Sequence, residues 1–275
     1  MTMLSINTNI GALNASQSSY SVNNSMETSM ARLSSGNRIN SAADDAAGLQ
    51  IARRMDTEIQ GLNQAVRNAA DAQALLQTAE GALDEVHTIL LRIRELSVQA
   101  SNGTYGAQDR LAIQAEVTDL QSEITRISND TTWNSISLIE GSQSTGITFQ
   151  IGADNTQTVT VAIANIALAT LSIGGTSQVT TATNAMSYIA AVDKAISVIS
   201  TNRGTYAAAI NRLDHSVANM QDAATNLADA KGRITDADFA AETSNLSRTQ
   251  VLQQASMAML AQANAAKQNI LTLIQ

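Results

Sequence analysis

The stretch that decides the fold is MDTEIQGLNQAVRNAADAQALLQTAEGALDEVHTILLRI, residues 55–93. Its apolar residues recur mostly at alternating steps of four and three, which is the seven-residue spacing of a helix packed along a seam. The positions that share this spacing are Met55, Ile59, Leu62, Val66, Ala69, Leu76, Ala79, Leu83, Val86, Leu90 and Ile93. The pattern predicts one long helix that packs against other helices along most of its length.

Two further segments keep the same spacing. One covers residues 113–127 and the other residues 189–227, where Arg203 is a polar residue at a seam position. SNGTYGAQD, residues 101–109, separates the first two helices and is typical of a turn between helices. Each long helix covers about 50 residues, or about 75 Å, which exceeds the ~50 Å breadth of a compact globule of this chain length. We therefore expect a rod.

The middle of the chain differs in composition and pattern. From Gly141 to about Thr181 it is rich in Ser, Thr and Gly, and GITFQIG and TVTVAI alternate apolar and polar residues as short strands do. The sequence predicts a mainly α fold: a long antiparallel coiled-coil or helical-bundle rod with paired terminal helices and a small β-rich tip, through which the chain turns back. We expect a terminal coiled-coil domain (1–44 with 232–275), a helical rod domain (45–140 with 182–231) and a short variable outer segment (141–181).

Both chain ends are apolar, although chain ends are usually polar and poorly ordered. A single partner helix covers only a narrow stripe, so the broad apolar surface of the terminal helices needs several neighbours. We expect both ends to be largely disordered in a free subunit and to fold against other copies of the chain. The residues that we expect to be buried on assembly are Ile6, Ile10, Leu13, Leu260, Ile270, Leu271 and Ile274.

The composition argues against several classes of function. The 275 residues include no cysteine and no proline, and the net charge is -8 at pH 7. A chain without cysteine has no disulfide framework and no thiolate metal site, and its acidic charge makes a nucleic-acid partner unfavourable. No apolar run approaches the ~20 residues of a membrane span. The N-terminus also lacks the pattern of an ordinary secretory signal, so export would need another route.

RLSSGNRINSAADDAAGLQIARRM, residues 32–55, is the loop that offers candidate chemistry. Gly36 suits a left-handed helix cap, Ser41 and Asp44 have the spacing of a capping box, and Asp44 and Asp45 favour the positive end of a helix. Paired carboxylates can also bind a metal or act as acid and base. No histidine or third acid lies nearby in the sequence, which favours capping.

The two histidines and the known motifs give no catalytic arrangement. His87 and His215 each fall beside a helix seam, where a surface or packing histidine is the more common outcome. No nucleotide-binding, metalloprotease or serine-hydrolase motif occurs. We predict no catalytic residue, no metal site and no cofactor.

LLRIRELSVQA, residues 90–100, carries charged residues beside its seam. Arg92, Arg94 and Glu95 lie mostly off the seam and Leu96 lies at its edge. One interpretation is surface ion pairs, which stabilise a helix only slightly. The other is an exposed contact patch for a partner. The physical argument alone favours the ion pairs.

Five stretches of this sequence resemble a known family. SINTNIGALNA (5–15), RLSSGNRINSAADDAAGLQIARRM (32–55), GLNQAVRNAADAQALLQTAEGALDEV (61–86) and LRIRELSVQASNGTYGAQDR (91–110) resemble the N-terminal region of bacterial flagellin. RITDADFAAETSNLSRTQVLQQASMAMLAQANAAKQNILTLIQ (233–275) resembles its C-terminal region. Together with the segments between them, the matches leave out roughly residues 141–181.

The resemblance implies a structural subunit that self-assembles into the extracellular helical filament of the bacterial flagellum, which serves as a propeller for motility. The terminal helices would form an inner tube around a channel, and the rod an outer tube. The chain would leave the cell unfolded through a type III export apparatus, without a cleaved signal peptide. Its implied partners are other copies of itself, an export chaperone on residues 233–275, and hook-associated junction and cap proteins.

The resemblance also implies recognition by a flagellin-sensing Toll-like receptor, with Arg92, Leu96 and Glu116 as contacts by motif position. Leu91 departs from the family pattern, because many recognised members have Gln there. Trp133 and Ser135 depart as well, since Phe and Gly are common at these positions.

Two other functions compete with a filament subunit. The first is a hook–filament junction protein, which would adapt or cap a filament without polymerising. The second is a secreted enzyme with a site in the tip, against which stands a tip that has no histidine and only Glu140 and Asp154 as acids. We expect a filament subunit that is not an enzyme.

Overall fold

The computed structural model describes residues 8–175 and 178–272, except for the side chains of residues 267–272. The chain is mainly helical with a small β region, which confirms the fold class. The helices are α1 (Ile10–Ser35), α2 (Ala46–Ser101), α3 (Ala107–Asp130), α4 (Leu168–Leu171), α5 (Ala182–Thr235) and α6 (Phe239–Thr272). The strands are β1 (Thr132–Trp133), β2 (Ile136–Ser137), β3 (Ile147–Gln150) and β4 (Thr158–Val161).

The chain divides into two compact units. We call Met1–Thr57 with Asn226–Gln275 the terminal unit, and Glu58–Thr225 the central unit. The boundaries fall inside α2 and α5, and the segment 141–181 belongs to the central unit. A separate outer domain over residues 141–181 stays a prediction.

The seam of α2 forms the core of the central unit. Leu76, Leu83, Val86, Leu90 and Ile93 are completely buried, as their spacing predicts. Facing them are buried residues of α3 and α5: Ile113, Val117, Ile124, Val192, Ile199, Tyr206 and Leu213. These helices therefore stabilise one another by apolar burial, with no need of another molecule.

Arg203, the polar residue at a seam position of α5, is half-buried and paired. Its Nη2 lies 2.8 Å from Glu80 Oε1, and its Nη1 lies 2.8 Å from Asp84 Oδ1. These contacts, led by the hydrogen bond to Glu80, raise the pKa of Arg203. The pairing explains how an arginine fits into an apolar seam.

The β3–β4 hairpin lies against the side of α2, which corrects its expected place at a tip. Its strands are antiparallel, with Phe149 opposite Val159, and Asn68 Nδ2 of α2 donates to the Gln150 carbonyl at 3.0 Å. Gly61 permits the close approach, because a Cβ there would lie 3.0 Å from the Cβ of Ala153. These contacts are far along α2 from the turn that follows it. The reason is α3, which carries the chain back along α2 before the strands begin.

Two buried tyrosines hold the middle segment, residues 141–181, against the helices through hydrogen bonds. The Ala164 N–H donates to Tyr206 Oη at 2.7 Å. Tyr188 donates to the Ile173 carbonyl at 2.9 Å, and Gln121 Nε2 donates to Tyr188 Oη at 2.8 Å. Burial raises the pKa of both phenols. The spacing of apolar residues did not reveal this polar network.

The β1–β2 hairpin shows where one of the unusual residues noted above, Ser135, lies in the fold. Trp133 pairs with Ile136, so Asn134 and Ser135 form a two-residue turn, with φ of 46° and 65° respectively. A turn with two positive φ angles favours Asn followed by Gly. Ser135 therefore occupies a backbone conformation that suits the Gly common in the family.

Candidate assembly surface

Hydrogen bonds join the segment that connects α1 to α2 with the segment that connects α5 to α6. The Ala237 N–H donates to the Gly36 carbonyl at 2.9 Å, and the Arg38 N–H donates to the Thr235 carbonyl at 2.6 Å. Arg38 Nη2 also donates to the Ile234 carbonyl at 2.6 Å. Gly36 ends α1 with φ of 71°, which confirms the predicted left-handed cap. The terminal helices α1 and α6 are thus tied together at one end.

The acidic pair in this loop caps a helix and a turn. Asp45 Oδ1 accepts the Gly48 N–H at 2.8 Å and so caps α2. Asp44 Oδ2 accepts the Ser41 N–H at 2.8 Å, the Ser41 hydroxyl at 3.0 Å and the Asn40 N–H at 3.1 Å. These bonds, led by that from the Ser41 N–H, lower the pKa of Asp44. Capping is confirmed, with Asp45 rather than Ser41 as the residue that caps the helix.

Within residues 8–175 and 178–272, no three His, Asp or Glu side chains gather as a metal site would require. His87 is half-buried on α2 and His215 is exposed on α5. Both belong to the central unit.

Helices α1 and α6 pack antiparallel along a seam of mostly small and polar residues. Gln253 Nε2 donates to Asn23 Oδ1 at 2.8 Å, and Asn9 Nδ2 donates to the Ala263 carbonyl at 3.1 Å. The less exposed positions of α1 have heptad spacing: Ala12, Ala15, Ser19, Val22, Met26, Ser29 and Leu33. Those of α6 are Glu242, Leu246, Thr249, Gln253, Ser256, Leu260 and Ala263. We call these two sets the terminal seam.

Few apolar residues of the terminal unit are fully buried. Among its described residues, Ile39 and Ala52 are the buried apolar ones. Its buried polar residues are Ser29, Thr235, Glu242 and Thr249. The seam therefore aligns α1 and α6 with fewer fully buried apolar side chains than the core of the central unit has.

Large apolar side chains of both terminal helices point into solvent instead. Leu13 and Tyr20 are 64% and 65% exposed, and Met259 is 66% exposed. The others are Ile10 and Met30 on α1, and Phe239, Val251, Leu252 and Met257 on α6. Exposed apolar residues gathered on two neighbouring helices are typical of a surface that binds another molecule.

The residues expected to be buried on assembly have different positions in this unit. Ile10 and Leu13 are exposed and Leu260 is half-buried in the terminal seam. Ile270 and Leu271 belong to α6, but their side chains lie outside the described part, as do Ile6 and Ile274 altogether. The sequence analysis did not single out Tyr20 or Phe239, because neither repeats at the spacing used to find the seams.

The charged patch of the central unit has a different geometry from that expected. Arg92 Nη2 lies 2.8 Å from Glu116 Oε1, and Arg92 Nη1 lies 2.7 Å from Glu95 Oε2. The bonds to Glu116 and then Glu95 raise the pKa of Arg92. Leu96 is only 2% exposed, so it packs in the core and is not at an exposed edge. Of the three expected receptor contacts, Arg92 and Glu116 are at the surface.

The net charge is distributed unevenly between the units. The terminal unit contains eight Lys and Arg and eight Asp and Glu, whereas the central unit contains eight and sixteen. The whole net charge of -8 therefore falls on residues 58–225. Copies of the terminal unit can approach one another without net repulsion.

These surfaces define a class: helical structural subunits whose terminal helices are left to be covered by other molecules. No helix in the described part of the chain combines the length and apolar character of a membrane span. Comparison with known proteins agrees with this class. Residues 6–144 match the family described as the bacterial flagellin N-terminal helical region, and residues 189–274 match the bacterial flagellin C-terminal helical region.

Similar proteins cover nearly the whole chain. The flagellin of Halalkalibacterium halodurans is 42% identical over 271 residues, which are 98% of this chain and 99% of that one. The flagellin of Bacillus subtilis is 39% identical over 302 aligned residues, with the same coverage. The flagellar filament 33 kDa core protein of Treponema phagedenis is 38% identical over 284 residues, again with 98% and 99% coverage.

Solved structures support the fold. The crystal structure of Bacillus cereus flagellin superposes with a TM-score of 0.51 and 32% identity, covering 60% of this chain and 94% of that one. A putative flagellar hook-associated protein from Vibrio parahaemolyticus gives a TM-score of 0.59 at 14% identity, covering 70% and 100%, which shows the fold alone.

The chain belongs to the bacterial flagellin family. It is a structural subunit of the flagellar filament, an extracellular appendage, and it is not an enzyme.

Proposed function

We propose that the exposed apolar faces of α1 and α6 are the surfaces through which copies of this chain pack in the filament. The observation that carries the proposal is the contrast in burial between the units. The central unit has a core of its own, whereas the terminal unit buries only Ile39 and Ala52 as apolar residues in its described part. Covering a Leu, Ile, Met or Phe side chain contributes about 1.5–3 kcal/mol. Ile6, Ile10, Leu13, Ile270, Leu271 and Ile274 would join this covered surface.

The packing that we propose is head-to-tail and does not close. Such a contact joins one surface of a copy to a different surface of the next copy. Repetition of the contact generates an open helical polymer. The resulting rigid filament is the propeller of the flagellum.

Deletion of residues 269–275 tests the proposal. We expect the truncated chain to keep the thermal unfolding transition of the central unit, because that core is complete without the terminal helices. We expect it to form no filaments when seeded with filament fragments, as measured by sedimentation and electron microscopy. The full-length chain under the same conditions is the control. Filaments of normal yield from the truncated chain would contradict the proposal.

We also propose that residues 233–275 bind an export chaperone before secretion and that the chain is exported unfolded. Leu252, Met257 and Met259 support this, since they stay exposed in the single chain and would otherwise be free to aggregate. The same faces, left open on the last subunit at each end of a filament, would bind hook-associated junction proteins and the cap. Co-purification of the chaperone with full-length protein but not with a chain ending at residue 232 is the expected result.

We further propose that Arg92 and Glu116 contact the flagellin-sensing Toll-like receptor. Both are exposed and lie together, and Leu91 beside them is 48% exposed. Arg92→Ala should lower receptor signalling in reporter cells, with Arg126→Ala, an exposed ion-paired arginine of α3, as the matched control. Equal signalling from both variants would contradict this contact.

A further inference from the structure

The terminal unit has two different flanks, one on each side of its seam. Gly11 and Ser18 each come one residue before a position of the terminal seam, and Leu13 and Tyr20 each come one residue after such a position. Successive residues turn by about 100° around a helix, so the two pairs project to opposite sides of the seam. The two flanks therefore present different chemistry.

The first flank is a groove. It has a volume of about 580 Å³, within the ~300–1,000 Å³ that sites for small ligands occupy. Gly11, Ala15 and Ser18 of α1 form one wall, and Leu252, Met259 and Ala263 of α6 are among the residues of the other. All the residues that line it are uncharged. Small residues on α1 leave room for larger side chains from outside.

The opposite flank is a ridge of large apolar side chains. Leu13 and Tyr20 of α1 project from it, and both are about two-thirds exposed. Met257 of α6 also comes one residue after a seam position and is 58% exposed. We call this flank the ridge, and the first flank the groove.

We infer that the ridge of one copy fits into the groove of the next, so that the groove is a docking site for a second copy of this chain. The inference rests on the proposed function and specifies its contact. Three observations select this occupant: the α1 wall of the groove is formed mostly by small residues whereas the ridge carries large apolar side chains, the terminal unit has no net charge to repel a copy, and the chain is a filament subunit. Because groove and ridge are different surfaces, a pair of copies keeps one free ridge and one free groove, and further copies can add there to build an open polymer when the rotation between copies does not close a ring.

Cross-linking tests this contact directly, since the chain has no cysteine of its own. Two double variants, Leu13→Cys with Ser18→Cys and Tyr20→Cys with Ser18→Cys, are assembled on seeds and treated with a short bismaleimide. A ladder of covalent multimers on a denaturing gel from at least one of them supports the inference, provided that each single variant gives none. Covalent dimers from Ser18→Cys alone would overturn it, because they would mean that two grooves face each other. Normal filaments of both double variants without a ladder would overturn it as well.

Filling the groove gives a second test that does not depend on cysteine. Ser18→Trp should raise the concentration needed for seeded assembly by about tenfold or more, and Gln17→Trp, on neither flank, should leave it within about twofold. Both positions are exposed, so neither variant should change the unfolding of the monomer. Equal assembly of the two tryptophan variants would overturn the groove–ridge contact. Failure of the wild-type chain to assemble would instead overturn the proposed function.

Discussion

The terminal and central units share the same heptad spacing, but they differ in whether their large apolar side chains are buried. In the central unit the seam is filled by Leu, Ile and Val, and these residues are sealed inside the molecule. In the terminal unit the seam is filled largely by Ala, Ser, Thr and Gln, while Leu, Tyr and Met point outwards. Spacing thus determines which face of each helix packs against another helix. The size of the seam residues determines whether the pair is stable by itself or needs further partners.

The largest difference should appear when one large apolar residue is shortened in each unit. Leu83→Ala removes a completely buried side chain and should lower the free energy of unfolding of the monomer by about 2–5 kcal/mol. Met259→Ala removes an exposed one and should change it by less than about 0.5 kcal/mol, while weakening seeded assembly. Denaturant unfolding followed by circular dichroism measures the first effect, and sedimentation the second. Equal destabilisation of the monomer by both variants would remove the contrast.

A smaller difference is expected from removing one hydroxyl in each unit. Tyr206→Phe leaves the Ala164 N–H without its buried acceptor and should lower the free energy of unfolding by about 1–3 kcal/mol. Tyr20→Phe, at an exposed position of α1, should leave it unchanged. Thermal unfolding of the two variants checks this, and a neutral Tyr206→Phe would show that the bond does not hold the middle segment.

A gain of stability is expected from the central unit as well. Ser135→Gly relieves a left-handed backbone conformation and should raise the free energy of unfolding by about 1 kcal/mol. Ser137→Gly, in strand β2, should lower it by about 0.5–1 kcal/mol, because glycine is unfavourable in a strand. Chemical denaturation of both variants distinguishes the turn from a general effect of glycine.

The smallest effect concerns the acidic loop of the terminal unit. The pKa of Asp44 is lowered in the folded chain, so its hydrogen bonds stabilise the loop above the ordinary carboxyl pKa of about 3.9. That contribution is lost as the pH falls through the lower folded value. Carboxyl titration by NMR should give Asp44 a value below that of an unfolded peptide, and Ser41→Ala should move it back upwards. An unshifted Asp44 in the wild-type chain would rule out the capped turn.

Helix pairing and the seam of the central unit could be predicted from the sequence, because burial repeats with the turn of the helix. The positions of Leu83 and Val86 illustrate this, as does the left-handed cap at Gly36. The docking of the β3–β4 hairpin could not be predicted. It depends on the position at which α3 ends beside α2 and on the space that Gly61 leaves for the hairpin. Both are contacts between residues that lie far apart in the sequence.

The sequence points to some residues of the candidate surface, and their burial on assembly stays a prediction. Ile10 and Leu13 stood out because both chain ends are apolar, and the structure places them in solvent. Leu96 was misplaced, since an edge position on a helix becomes interior when a third helix packs beside it. The groove could not be predicted at all. Small residues such as Gly11 and Ser18 form a groove only because Leu252 and Met259 of another helix lie beside them.

The bonds between Gly36 and Ala237 and between Arg38 and Thr235 have a consequence for how the terminal helices find each other. These residues lie about 200 positions apart in the sequence, but Leu62 and Met220, near the two ends of the central unit, line one cavity. Once the central unit has folded, forming these bonds therefore closes only a short loop. Once these hydrogen bonds have formed, α1 and α6 can pair progressively from them towards the chain ends, because each paired turn holds the next turn near its partner. In this order of folding, the pairing of α1 with α6 would begin beside Gly36 and Ala237 and would reach the two apolar chain ends last.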